Sequence, residues 1–74
     1  MYRENLPKRI RQARLEAGYT QQQTADITGI ARSTLAKIET GKQEPSIEQL
    51  GTLAQFYNKS LNWLLGVSIE PESR

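Results

Sequence analysis

Seventy-four residues lie near the lower size limit for a domain that folds alone, so the 36% hydrophobic content has to go into one core. The chain contains no cysteine and no histidine, which removes disulfides, thiolate-metal sites, the commonest general base and the commonest transition-metal ligand. The formal net charge is only +2, but residues 1–66 hold nine bases against six acids, and the bases cluster as Lys8, Arg9, Arg11 and Arg14, then Arg32, Lys37 and Lys42; such clusters suit a polyanion and are equally common on solvated helices.

No strand-like alternation and no internal repeat stands out, and punctuation divides the chain into five helical segments. The first is predicted over roughly 6–17, with Asn5 as cap, Pro7 in the first turn, Gly18 as stop, and Leu6, Ile10, Ala13 and Ala17 as the buried stripe. The second spans roughly 21–28: Thr20 and Gln23 have capping-box spacing, and Gly29 closes it. The third covers about 32–40 and ends at Gly41. The fourth starts from Ser46, with Gln49 three residues on, and runs to about Tyr57, burying Ile47, Leu50, Leu53 and Ala54. The fifth runs from Ser60 to about Leu65, with Leu61, Leu64 and Leu65 apolar, and stops at Gly66. Residues 67–74 have no pattern and are expected to be a flexible tail or the start of a linker. No apolar run approaches the roughly 18 residues of a membrane span, and no charged-then-apolar leader opens the chain, so a cytoplasmic location is expected.

The second and third segments meet at "TGIA", 28–31. Small Ala25 permits close approach, Gly29 tolerates a left-handed turn, and apolar Ile30 plugs the angle between the helices. Arg14, the Thr20–Gln21 pair, Ala25, Gly29–Ile30, the run "IETGKQEPS" and Leu53–Ala54 together resemble the helix-turn-helix domain of the Cro and phage-repressor type. The resemblance covers about 6–66. It implies an all-α, compact five-helix bundle of the lambda-repressor-like class, a domain over 1–66, and double-stranded DNA as partner. Departures exist. Thr24 and Thr28 stand where the family usually has leucine, Ile27 takes a usually polar place, and Ala31 replaces a capping Ser or Thr. The missing cap costs about 1 kcal/mol; Thr24 is expected to bond its hydroxyl to a carbonyl one turn back.

In the third segment Leu35 and Ile38 turn inward while Arg32, Ser33, Ala36, Lys37 and Thr40 turn outward. The family alignment puts Arg32, Ser33 and Lys37 at base-reading positions. Arg32 suits two bonds to guanine, Lys37 one, and Ser33 discriminates less, while small Ala36 lets the backbone approach. Gln21, with its free N–H and its amide, suits a phosphate oxygen at a helix start. Thr40, Gly41 and Lys42 form an exit loop whose exposed N–H groups and added charge are expected to meet phosphate. Family members use an Arg and a Glu at the places of Arg14 and Glu39 as an ion pair between the first and third helices. Trp63 has two readings: a ring covering the core edge, or a dimer contact, since family members often pair through the last helix. A homodimer on a near-palindromic operator is the expected assembly.

The leading reading is therefore a sequence-specific transcriptional regulator, acting as a repressor by operator occupancy. An antitoxin-like or other protein-interaction module, with an additional protein partner, is the alternative. An enzyme is disfavoured by the lack of His, Cys and paired carboxylates on one face. No cofactor or metal is called for.

Overall fold

The computed structural model describes the backbone of residues 2–66 and the side chains from Glu4 to Gly66. The expected tail at 67–74 lies outside the described residues. Within them the chain is all-helical: α1 (Tyr2–Ala17), α2 (Gln21–Thr28), α3 (Arg32–Thr40), α4 (Ile47–Tyr57) and α5 (Leu61–Leu65).

Local chemistry sets most of these ends. Thr20 accepts from the Gln23 N–H at 3.0 Å, and the Gln23 side chain accepts from the Thr20 N–H at 2.9 Å. Ser46 and Gln49 repeat the exchange at 3.0 Å in each direction. Each pair satisfies orphan donors at a helix start. Ser60 caps α5 through the Trp63 N–H at 3.0 Å. Gly29 closes α2 at φ 81, where its N–H reaches the Ala25 carbonyl. Asn58 does the same for α4 at φ 58, a left-handed conformation that Asn tolerates.

The core is built from Leu6, Ile10 and Ala13 of α1, Ile30, Leu35 and Ile38 of the α2–α3 unit, Leu53, Ala54 and Tyr57 of α4, and Leu64 of α5. α1 packs on α3, α4 and α5, while α2 packs on α3 and α4. Thus α3 has its inner face seated on α1 and α2, which in turn pack on α4 and α5.

Several expectations need correction. α1 begins at Tyr2, so Asn5 and Pro7 are inside the helix and Asn5 is not its cap. Pro7, the sixth residue of the helix, lies beyond the first four unpartnered donors and so forgoes one ladder bond, while Leu6 beside it is buried in the core. Asn5 lies instead beside Gly66, where a Cβ would come within 2.8 Å of Asn5 Nδ2. Ala17 is exposed, because the chain turns away from the bundle at Gly18. Ile47 is 85% exposed. It shares the helical face of Leu50 and Ala54 but, as the first residue of α4, overhangs an open groove lined by Leu6, Pro7 and Leu65. Leu61, first in α5, is likewise exposed. Thr24 is fully buried, yet its hydroxyl accepts a long 3.4 Å bond from Tyr57. The bond one turn back comes from Thr28, whose hydroxyl donates to the Thr24 carbonyl at 2.7 Å and accepts from the Ile30 N–H at 3.2 Å.

Candidate nucleic-acid interface

Helix α3 is short and two-faced. Leu35 and Ile38 are 0% and 1% exposed, and Glu39 is buried beside them. On the other side Arg32, Ser33 and Lys37 are exposed and Ala36 is half-buried. At about 100° per residue these four span one arc of the helix surface. Among the described residues Arg32, Ser33, Lys37 and Lys42 carry no hydrogen-bond or ion-pair partner through their side chains. The start of α3 adds positive character: Ala31 makes no side-chain cap, so the first N–H groups of the helix stay open. The outer arc is thus cationic and uncommitted, while the acid of the helix is turned into the protein.

That acid closes a network. Arg14 Nε donates to Glu39 Oε2 at 2.8 Å and Arg14 Nη2 to Glu39 Oε1 at 3.0 Å. Arg14 Nη1 donates to the Tyr19 carbonyl at 2.8 Å. The carboxylate, by bond and by charge, raises the Arg14 pKa above its ordinary value against the opposing pull of desolvation. Each guanidinium nitrogen of Arg14 is engaged inside, through three of its five N–H donors. Gln21 joins the same carboxylate, its Nε2 donating to Glu39 Oε1 at 3.1 Å. The amide expected to face a phosphate is therefore turned inward. At the start of α2 the N–H groups of Gln21 and Gln22 precede the ladder and are the outward donors there.

The exit loop also differs from expectation. Gly41, at φ 80, directs its N–H to the Ile38 carbonyl at 3.2 Å. Lys42 and Gln43 N–H groups both reach the Lys37 carbonyl, at 2.9 and 3.3 Å. The Thr40 hydroxyl donates to the Ala36 carbonyl at 3.0 Å. Closing a short helix satisfies its last carbonyls with these same donors, so they do not project as free N–H groups. The outward donor of the loop is the exposed Lys42 ammonium.

Two helices meet at a left-handed glycine, the second with a buried inner face and an open cationic outer arc. Residues 10–64 match the helix-turn-helix family. The chain belongs to the helix-turn-helix family. It is 37% identical over 62 residues to the HTH-type transcriptional regulator ImmR of Bacillus subtilis, covering 84% of this chain and 49% of that one. It is 40% identical over 58 residues to the HTH-type transcriptional regulator AnsR of the same organism, covering 78% and 50%. An uncharacterized HTH-type transcriptional regulator of Archaeoglobus fulgidus is 36% identical over 50 residues, covering 68% and 71%. The chain spans about half the length of the Bacillus relatives. No solved structure matches it. The family is one of DNA-binding regulators rather than enzymes.

Trp63 of this helix-turn-helix domain is half-buried against the core. Arg9 Cζ lies 4.6 Å and Lys59 Nζ 4.4 Å from its ring centroid, and Lys59 also pairs with Glu16 at 3.1 Å. The ring covers the core edge and its face attracts both cations. The Gln21–Glu39 bond is the part of the site that sequence reasoning missed. Its partners lie 18 positions apart, and no local spacing signals it.

Proposed function

We propose that this domain is a sequence-specific double-stranded DNA-binding regulator that places α3 in the major groove and acts as a repressor by occupying its operator. One observation carries the reading: Arg32, Ser33 and Lys37 stand exposed and unpartnered on a helix whose opposite face is locked into the core. A helix of this kind enters the major groove with its N-terminal half nearest the bases. Arg32 then binds guanine O6 and N7, Lys37 supplies a point donor, Ser33 adds a weaker contact, and Ala36 permits close approach. Phosphate contacts come from the N–H groups at the start of α2 and from Lys42. These set register and affinity rather than sequence preference.

Two copies on a near-palindromic site put their recognition helices roughly 34 Å apart, one turn of DNA. The surface proposed for pairing is the last helix, with exposed Leu61 and the Trp63 edge. A cytoplasmic regulator suits this assignment, and no helix among the described residues is long and apolar enough to cross a membrane.

The test is selection of bound sites from a random duplex pool, followed by titration of the winner at several salt concentrations. The expected result is a symmetric site and a steep loss of affinity with salt. Arg32→Ala and Lys37→Ala each relax preference at particular base positions by about 1–3 kcal/mol. No enrichment of any sequence, with no binding to any duplex in dilute buffer, would remove the reading.

A further inference from the structure

We propose that Gln21 is a positioning residue for base readout: through Glu39 it fixes the first turn of α2 against α3, and so sets the seat of Arg32, Ser33 and Lys37. The inference rests on the DNA-binding reading above and assigns Gln21 a role different from the phosphate contact that its sequence position suggests.

The apolar content of α2 supports this role. The helix reads QQQTADIT, and its buried residues are Thr24 and Ala25. Its first three positions bury no apolar side chain, so hydrophobic packing anchors the middle of the helix and leaves the first turn to polar bonds. The inward bond from that turn is Gln21 Nε2 to Glu39 Oε1 at 3.1 Å. Its acceptor is well fixed. The Glu39 side chain is 1% exposed and is held by two bonds from Arg14, whose side chain is 9% exposed. Arg14 is in turn held by the Tyr19 carbonyl, just ahead of the Thr20 cap. Glu39 therefore joins α1, α2 and α3 at one carboxylate, and Arg14 carries the tie on to the α1–α2 turn.

The bond also fixes which way the amide points. Turning the amide oxygen towards Glu39 would set two acceptors against each other, so the nitrogen has to face inward. A bond to an ionised, desolvated acceptor is stronger than one between neutral groups. Swinging this amide out to a solvent-exposed phosphate would forfeit it. The cap at Thr20 aligns the first turn along its own axis, and Gln21 ties that aligned turn to α3. Releasing the tie leaves the α2–α3 angle to Thr24, Ala25 and Ile30 and to the Thr28 bonds at the turn. Base readout suffers first, because it needs α3 at one depth and tilt, whereas attraction to the phosphate backbone tolerates small rotations.

The experiment compares binding of the intact chain and its Gln21 variants to the selected operator and to a random duplex at the same salt. Gln21→Met keeps the length and removes the donor. The expected result is a fall in the operator-to-random affinity ratio on the order of 3–10-fold, with a cooperative melt showing that the variant is folded. Loss of a phosphate contact, or a larger unfolded fraction, lowers both affinities together and leaves the ratio alone. Gln21→Lys restores a donor to Glu39. It keeps the ratio while strengthening binding to both duplexes. A ratio unchanged in Gln21→Met, or lost in Gln21→Lys, overturns the positioning role while wild-type discrimination keeps the DNA-binding reading. A wild-type chain that prefers no duplex overturns both.

Discussion

Glu39→Ala removes the acceptor of three bonds, two from Arg14 and one from Gln21. It leaves Arg14, whose side chain is 9% exposed, with its Tyr19 carbonyl bond alone. Breaking a buried pair in this way costs about 3–5 kcal/mol, because the stranded charge keeps its desolvation penalty. A domain of 74 residues has a total stability of roughly 4–11 kcal/mol. The substitution therefore removes a large share of it, and each kcal/mol lowers the melting temperature by roughly 4–8 °C in a domain this small. The assay is urea unfolding followed by helical circular dichroism, at low and at high salt. Salt should change the loss little, since the pair is screened far less than a surface pair. The double variant Arg14→Met, Glu39→Leu, which leaves no buried charge, should regain most of the stability. A loss below about 1 kcal/mol, the range of exposed pairs, or a double variant no better than Glu39→Ala, would refute a buried pair at this place.

Two further outcomes follow from the start of α3 and the last residue of α4. Ala31→Ser supplies the missing cap at a position whose backbone, φ −57 and ψ 140, already lies outside the helix; it should stabilise the domain by about 1 kcal/mol, seen as a higher melting temperature, and no rise would mean that the α3 start is closed in another way. Tyr57 is 5% exposed, and burial raises its pKa above the ordinary 10.0, opposed in part by the Thr24 bond. The unfolded chain then releases this proton first as pH rises, so the contribution of the neutral ring is full below pH 10.0 and is lost as pH climbs through the folded value. Tyr57→Phe should gain stability relative to wild type over that alkaline range, read from paired denaturation curves; a constant difference across it would refute the burial-driven shift.

How much was legible varied with the reach of the interaction. Thr20 with Gln23, and Ser46 with Gln49, are bonded within three residues, so the sequence shows both partners side by side. Gly29, Gly41 and Gly66 all take positive φ, and each marks a helix end where it was expected. The inward Leu35 and Ile38, and the outward Arg32, Ser33 and Lys37, follow from the helical period once α3 is bounded. Asn5 and Ile47 show the limit. Local rules make Asn5 a cap and put Ile47 on the core stripe. Neither rule knows that α5 ends against Asn5 or that α4 begins beyond its neighbours.

Sequence by itself determined the presence of five helices, the caps of α2, α4 and α5, the turn between α2 and α3, and the residues that α3 turns to solvent, because all of these depend on backbone groups and periods a few positions apart. Tertiary structure alone decided the fate of side chains that have a choice of partner. The Gln21 amide and the Arg14 guanidinium can each reach solvent or the interior, and both went to Glu39, 18 and 25 positions away. A buried carboxylate attracts a donor only after packing has removed water from around it, and that packing exists only in the folded chain.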